Sequence, residues 1–482
     1  MRATKTLPLP ALFCAVKDRP AILWAAILAS SMGFIDSSVT SIAIPAIRGA
    51  LGATLAEAQW ISAAYLLALS SLVLAGGAMG DRFGTARVFT IGIWVFVAGS
   101  LACAFALDAG QLIAARAVKG VGAALMVPGS MAIVARAYPR DQRGRALGLW
   151  AAASTATTAL GPVLGGMLIS WGGDAGWRMI FGLNLPLGLL AIWLLRGRVL
   201  ADAGQPGARV DLVGAGLATL GLGLMAYALT TIGPALVIGL AAALTLALFL
   251  VWEAHNPAPM IRLSLLRNRA FAVTNMVTFV LYFALNGVMF YLPMTAISAW
   301  GVSALDVTAA FLPISLLIGV LSAPAGRLAD KFGPGPLMAG GSTLVALAYT
   351  GLALVAAQPA FWTQVVPLMV LAGIGLGLLV APLTTAVMAE AADGEQGAAS
   401  GINNAVARVA GLIAVALLGK LAAAAYGPGL PGFGLTGTGP DHLAATGAAF
   451  SLIAGLAAAM AALAAALAAA LALTTGRQQH RS

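Results

Sequence analysis

One acidic side chain lies deep inside an apolar segment of this sequence. Asp36 stands within an unbroken apolar run, whereas the other fifteen Asp and Glu residues fall between such runs or in the tails. A charged side chain at the centre of a membrane-spanning helix costs about 2.5–3.5 kcal/mol on insertion scales. Such a carboxyl group either exchanges protons during transport or serves as a neutral, hydrogen-bonded structural group. We interpret Asp36 as a proton-coupling residue.

Two basic side chains in a later apolar run are candidate partners for Asp36. Arg116 and Lys119 are three residues apart, so they lie on the same face of a helix. With a rise of 1.5 Å per residue, Asp36 and Lys119 lie about 13 and about 12 Å from the same end of their segments. We hypothesise that the deprotonated Asp36 pairs with Lys119 or Arg116, and that protonation breaks the pair. The sequence leaves open which cation is the partner.

The elements that carry these residues must be membrane helices. The chain has 482 residues, of which 61% are hydrophobic and 9% charged, and its mean hydropathy is +0.96. A soluble domain has about 25% charged residues, so the composition excludes soluble, disordered and nucleic-acid-binding proteins. About 20 apolar residues cross a bilayer as a helix. Fourteen such spans are predicted, at 22–46, 58–79, 88–107, 111–135, 146–170, 177–195, 212–232, 234–252, 271–297, 307–326, 337–357, 362–388, 398–422 and 445–473.

The basic residues predict the orientation of these spans. With both termini in the cytosol, 20 of the 26 Lys and Arg residues fall in cytosolic segments, and only Arg48 and Arg178 fall in external loops. This distribution follows the positive-inside rule. The net charge of +10 therefore reflects topology, and no nucleic-acid partner is implied. We expect a multi-pass protein of the plasma (inner) membrane, with cytosolic tails at 1–21 and 474–482.

Two motifs recur at nearly the same offset along the chain. The segments 77–84 and 326–333 place Asp81 and Asp330 249 residues apart, and 143–148 resembles 396–401, 253 residues later. Parallel repeats of this kind are typical of transporters that bind substrate between two halves. The repeat predicts two six-helix bundles, at 22–199 and 257–473, with an inserted two-helix hairpin and its flanking loops at 200–256.

Four motifs in order resemble the major facilitator superfamily, and within it the fourteen-span drug:proton antiporters of EmrB/QacA type. The resemblance implies an all-α integral membrane protein with the major facilitator fold. The motifs are Asp36 with Ala43 and Pro45, Gly77 to Gly84, Arg116 with Gly120, Gly122 and Ala123, and Gly161 to Gly166. The sequence departs from the family pattern at Ser41, Thr85, Ala86, Lys119 and Thr157.

The resemblance assigns the loop motifs to a cytosolic gate. We expect a breakable latch there, with Asp81 complementing the N-terminus of the third span; a simple topological turn is the alternative. The gate residues are Gly77, Gly80, Asp81, Arg82, Gly84, Arg87, Gly326, Asp330, Lys331 and Gly333.

The antiporter motif comprises Gly161, Pro162, Gly165 and Gly166. Its small residues permit a close helix contact that would seal the cavity, although ordinary packing uses glycine in the same way. Asn403, Asn404 and Arg408 are interpreted either as a polar contact between the halves or as cavity lining. No metal-ligand cluster or phosphate-binding loop is evident in the sequence, so we expect no cofactor other than the coupled proton.

The sequence favours a secondary transporter that exports lipophilic or amphiphilic small molecules in exchange for protons. The main alternative is a proton-coupled uptake symporter or a facilitator of a small metabolite. An enzyme or receptor is disfavoured because only one acidic residue is embedded in a span. We expect a monomer in the bilayer. Whether the exporter serves many drugs or one compound stays open.

Overall fold

The computed structural model describes residues 13–200, 202, 204–205, 207, 209–231, 234–357, 360–390, 396–427, 432–437 and 439–479. Parts of both predicted tails (1–12 and 480–482) and of the predicted hairpin turn (232–233) lie outside the described residues. The described chain is helical, with one isolated backbone bridge between Cys14 and Val199.

Seven helices precede the predicted hairpin. They are α1 (Arg19–Leu51), α2 (Leu55–Phe83), α3 (Thr85–Ala104), α4 (Ala109–Ala137), α5 (Arg140–Gly172), α6 (Gly176–Gly182) and α7 (Asn184–Leu195). Nine more follow: α8 (Leu212–Thr230), α9 (Ala235–His255), α10 (Leu263–Arg267), α11 (Arg269–Ser298), α12 (Ala304–Phe332), α13 (Pro334–Val355), α14 (Val366–Ala389), α15 (Gln396–Tyr426) and α16 (Pro440–Gln479).

Thirteen segments in the described residues are long and apolar enough to cross a membrane. Each coincides with a predicted span, and α6 and α7 together form one of them. The remaining predicted span, 146–170, lies within α5, whose apolar stretch Leu160–Gly172 is shorter.

The helices pack in two groups. Helices α1 to α7 contact mainly one another, and α11 to α16 do the same. The groups meet where α1 packs on α11, α2 on α15, and α5 on α12. Helices α8 and α9 pair, and α8 also packs on α2 and α15.

The few acidic side chains outside the apolar runs often cap helices. Thr54 and Glu57 form a capping box at the start of α2, and Asp108 accepts a hydrogen bond from the Gln111 amide in α4. Asp211 caps α8 in the same way. Capping explains these positions because the first amides of a helix lack intrahelical acceptors.

The prediction that Arg48 lies in an external loop is wrong. Arg48 occupies the last turn of α1 and is 3% exposed. Its side chain donates hydrogen bonds to the carbonyl oxygens of Ala53 (3.2 Å) and Phe433 (2.7 Å). A buried guanidinium with these acceptors is stable at a helix C-terminus, where carbonyl groups lack intrahelical donors.

Candidate functional site: a buried charge cluster beside a cavity

The structure brings Asp36, Arg116 and Lys119 into one buried cluster. Arg116 Nη1 donates to Asp36 Oδ2 and Lys119 Nζ donates to Asp36 Oδ1, each at 2.5 Å. All three residues are at most 1% exposed. The sequence hypothesis left a choice between the two cations, whereas the structure pairs the carboxylate with both. One negative and two positive charges give the fully ionised cluster a net charge of +1.

Arg116 is held in place by two further contacts. Its Nε donates to the carbonyl oxygen of Ile61 in α2 at 2.8 Å, and its guanidinium lies 4.5 Å from the ring centroid of Tyr65. Lys119 Nζ lies 4.8 Å from each of the ring centroids of Phe96 and Phe181. Aromatic faces stabilise cations by about 0.5–2 kcal/mol, so the rings partly offset the loss of water.

Glycines let the neighbouring helices approach α4 closely around the cluster. A Cβ atom on Gly99 would lie 2.9 Å from the backbone nitrogen of Lys119. A Cβ atom on Gly120 would lie 2.6 Å from the carbonyl oxygen of Tyr65. No side chain fits at such backbone contacts, so these glycines set the spacing of α2, α3 and α4.

A cavity of about 350 Å³ lies between α1 of the first group and α11, α12 and α14 of the second. Its lining is mainly apolar, with a phenol and a hydroxyl, and comprises Phe34, Leu281, Tyr282, Leu285, Ser315, Ile318, Leu376 and Val380. Phe34 is two residues from Asp36, on a different face of α1. Helix α1 therefore contacts both the cavity and the charge cluster.

The polar residues of α15 separate into different environments. Asn403 donates to Asn275 (3.2 Å) and Thr278 (2.7 Å), both in α11, so it packs within the second group. Asn404 is exposed and donates to the Ser400 carbonyl. Arg408 is half-buried and interacts electrostatically with Tyr65 of the first group and Tyr282 of the second. Of the three, Arg408 is the one placed between the groups.

The antiporter motif lies where α5 packs against α1 of its own group and against α12 of the second group. Cβ atoms on Gly161 and Gly165 would collide with Ser38 and Val39 of α1. A Cβ atom on Gly166 would lie 2.9 Å from the carbonyl oxygen of Ala304 at the start of α12. Pro162 is buried inside α5, where it removes one helix hydrogen bond.

A hydrogen-bond network near Arg48 joins the two groups at the end of the molecule where Gly166 contacts the start of α12. The sequence did not indicate this network. Gln59 Nε2 in α2 donates to the Val415 carbonyl of α15 (2.6 Å) and to the Tyr291 hydroxyl of α11 (3.0 Å). Arg48 adds its bond to Phe433. Gln59 is 2% exposed. Gln59, a polar residue near the end of a predicted span, was the one sequence feature that could have indicated this network. Its partners lie more than 200 residues away, so the sequence could not identify them.

The two repeated loop motifs form matching turns. Gly84 is the single residue between α2 and α3, with φ of +104°, and Gly333 occupies the same place between α12 and α13, with φ of +79°. Both positions require glycine because other residues rarely adopt this backbone conformation. Arg82 lies 5.2 Å from the Phe83 ring, and Lys331 lies 5.2 Å from the Phe332 ring.

The gate carboxylates are exposed. Asp81 and Asp330 lie on the surface, and within the described ranges neither forms an ion pair shorter than 4.0 Å with its neighbours. The side chains of Arg82 and Arg87 are exposed as well. Gly77, Gly80 and Gly326 lie within the last turns of α2 and α12. A latch role for these residues stays a prediction.

The carboxylate at the N-terminus of α3 belongs to Asp202, not to Asp81 as expected. Asp202 Oδ2 accepts hydrogen bonds from the backbone amides of Ala86 (2.7 Å) and Arg87 (3.0 Å). Its Oδ1 forms a 3.0 Å ion pair with Arg136 of α4. Asp202 comes from the segment between α7 and α8, which the sequence does not relate to this turn. The interaction satisfies orphan amides and complements the helix dipole.

The segment around Asp202 is anchored to neighbouring backbone on both sides. Leu200 donates its amide to the Phe13 carbonyl at 2.9 Å, and Gln205 donates its amide to the Asp81 carbonyl at 2.7 Å. The adjacent Cys14 thiol is buried, and burial raises its pKa. The segment therefore connects Phe13, the α2–α3 turn and α4.

Replacing Asp202 by alanine is expected to loosen the α2–α3 turn. Losing a capping side chain costs about 0.5–2 kcal/mol, so the amides of Ala86 and Arg87 should exchange with solvent about 2- to 30-fold faster. Hydrogen–deuterium exchange on the purified protein measures this change. Asp81→Ala is the matched control, because its carboxylate does not cap α3, and equal acceleration in both variants would contradict the assignment.

Comparisons with known proteins agree with this architecture. The family model described as Major Facilitator Superfamily matches residues 26–415. The methylenomycin A resistance protein of Bacillus subtilis is 34% identical over 404 residues, covering 81% of this chain and 84% of that protein. The tetracenomycin C resistance and export protein of Streptomyces glaucescens is 28% identical over 435 residues, covering 86% and 78%.

A solved structure shares the fold despite low sequence identity. A bacterial homologue of the human lysosomal transporter Spinster has a TM-score of 0.70 at 15% identity, covering 95% of this chain and 98% of that one. The family model spans most of the sequence, including the helices that carry the charge cluster and the cavity. The chain therefore belongs to the Major Facilitator Superfamily.

Proposed function

We propose that this protein exports lipophilic or amphiphilic small molecules from the cytosol in exchange for protons. The observation that carries the proposal is the fully buried Asp36–Arg116–Lys119 cluster on helices that also border a cavity between the two groups. Ionisable groups inside a membrane are costly and serve ion or proton pathways by default. The resistance and export names of the two relatives favour efflux of drug-like compounds.

Alternating access is the proposed cycle. The helices of 22–199 rock against those of 257–473 around the cavity, and the α8–α9 hairpin stays at the periphery. In the described structure, Gln59 and Arg48 bond the two groups at one end, where Gly166 also abuts α12. With the proposed topology this is the external end, which is closed here. Opening it requires those contacts to separate.

The proposed topology has fourteen spans with both termini in the cytosol of the plasma membrane. It counts α5 as a span, because α5 is 33 residues long and lies between α4 and α6. The basic residues favour this orientation by the positive-inside rule. We propose a monomer, since one chain supplies both groups and the cavity between them.

Substrate charge follows from the electrostatics of the site. The cluster has a net charge of +1 when fully ionised, and Arg408 adds another cation between the groups. Positive potential near a mainly apolar cavity favours neutral or anionic amphiphiles over cations.

Purified protein in liposomes tests the function directly. Ethidium, Nile red and fluorescein provide a cationic, a neutral and an anionic amphiphilic probe, and a trapped pH indicator reports proton movement. An imposed proton gradient is expected to drive at least one probe up its concentration gradient, against the direction of proton flow. Movement of probe and proton in the same direction would favour the uptake symporter, and gradient-independent flux would favour a facilitator. Empty liposomes provide the baseline.

A further inference from the structure

We propose that the coupled proton is bound and released by Lys119 rather than by Asp36. The inference rests on the proposed proton exchange and specifies which atom carries the proton. It follows from the hydrogen bonds among the three buried charged groups, and from the buried charges that each protonation state leaves without a counter-ion.

The three possible states of the cluster differ in net charge. The fully ionised cluster carries +1, and protonating Asp36 raises this to +2, with two cations at most 1% exposed and no counter-ion. Removing a proton from Lys119 lowers it to 0 and leaves the Asp36–Arg116 pair intact. Buried unpaired charges are strongly unfavourable, so protonation of Asp36 is the costliest change.

Arg116 cannot supply the proton. A guanidinium stays protonated in proteins, and here it is also fixed by Asp36 Oδ2 and the Ile61 carbonyl. A lysine amine, in contrast, loses its charge readily when it is buried. Lys119 is the member of the cluster whose proton can leave while every remaining charge keeps a partner.

The surroundings of Lys119 balance its charged and neutral forms. Asp36 of α1 favours the ammonium, and so do the ring faces of Phe96 and Phe181. Arg116, one turn away on α4, and the complete burial of Lys119 disfavour it. The thiol of Cys103 on α3 is the other titratable group that interacts with Lys119, and Tyr65 of α2 lies beneath Arg116. A proton carrier requires such a balance, so that small movements shift its protonation.

The proton step is a simple dissociation. The Lys119 ammonium gives up one proton to water, and the N–H bond pair stays on the amine. The hydrogen bond to the Asp36 carboxylate then weakens, because its donor has lost its positive charge. Asp36 remains ionised and keeps Arg116. Because α1 carries both Asp36 and the cavity residue Phe34, a weaker bond between α1 and Lys119 lets α1 shift when the cavity is occupied.

Two substitutions separate a proton carrier from a structural cation. Lys119→Arg keeps the positive charge but cannot release it, whereas Lys119→Gln is permanently neutral and leaves the Asp36–Arg116 pair in place. Both variants are expected to lose the coupled proton signal at least about tenfold in the liposome assay, measured with the probe dye that the unaltered protein expels. Both should still catalyse dye-for-dye exchange, and that exchange should no longer depend on pH.

The matched control is Lys420→Gln, the same substitution in another span. Lys420 is exposed and donates only weak 3.4 Å bonds to the carbonyls of Ala228 and Thr231. This variant should keep the proton signal. A proton signal that persists in Lys119→Gln would overturn the inference and assign the proton to Asp36.

A dye-free measurement keeps this test separate from the test of export. Difference titration of the purified full chain in nanodiscs counts the protons released on a rise in pH. The unaltered protein should release one more proton than Lys119→Gln, whatever it transports. An equal number in the two proteins overturns the inference, whereas failure of every dye to move contradicts the export proposal alone.

Discussion

Asp36→Asn is expected to abolish proton-driven efflux. The asparagine retains the size of the carboxyl group but leaves Arg116 and Lys119 buried without a counter-ion. Removing one partner of a buried ion pair costs about 3–5 kcal/mol, and Lys119 relieves most of this cost by staying neutral. A lysine that is neutral throughout the cycle cannot carry a proton. Liposome flux under an imposed proton gradient measures the loss, which should exceed about 100-fold.

Two companion variants make this result interpretable. Glu57→Gln removes a partly exposed carboxylate from the first turn of α2 and should leave coupling intact. Asp36→Asn combined with Lys119→Gln leaves a single cation, so the net charge returns to that of the unaltered cluster. This double variant should recover thermal stability but not coupling. Retained proton coupling in the single variant would show that the cluster is structural.

Gly166→Ala is expected to shift the protein away from the closed external end. The added methyl group would lie 2.7 Å from Thr308 Cγ2, 2.9 Å from the Ala304 oxygen and 3.0 Å from Leu305 Cα. Two of these atoms are backbone, so α5 and α12 must separate to make room. Overpacking of this kind costs about 1–3 kcal/mol, which corresponds to about a 5- to 150-fold change in the equilibrium.

Labelling of a cysteine measures this shift. Ser37→Cys lies on an exposed face of α1, and a membrane-impermeant maleimide added outside cells should modify it faster when Gly166→Ala is also present. Gly148→Ala adds the same methyl group to α5 where nothing lies within 4 Å, so it should leave the labelling rate unchanged. Equal rates with both alanine variants would contradict a closing role for Gly166.

The two expected results test two sites of the proposed transport cycle, the charge cluster at Asp36 and the contact between the groups at Gly166. Asp36 belongs to the face of α1 that contacts α4, and Gly161 contacts the neighbouring part of α1 at Ser38. Helix α5 then reaches α12 through Gly166. A change at the charge cluster can therefore reach the contact between the groups through two packed helices. Flux and labelling measured on the same variants would show whether the two sites are coupled.

Charge and hydropathy in the sequence determined the class of protein and the residues worth testing. Apolar runs of about 20 residues must form helices in a bilayer because their backbone groups find no other partners there. A lone acid within such a run is costly, so Asp36 stood out without any structure. Matching depths along a regular helix then selected Arg116 and Lys119 as partners. Repeated glycines after the second and tenth spans located the two turns.

Only the tertiary structure determined which side chains form hydrogen bonds and ion pairs with each other. Depth along a helix does not fix rotation about its axis, so only the packing of α1 against α4 showed that Asp36 bonds both cations. Asp202 replaced Asp81 at the start of α3, since capping of an orphan amide depends on proximity in space and the capping side chain comes from a distant segment. Gln59 and Arg48 likewise found backbone carbonyls more than 350 residues away. The sequence identifies the buried polar and charged groups that need partners, and the packing of the helices determines which partners they have.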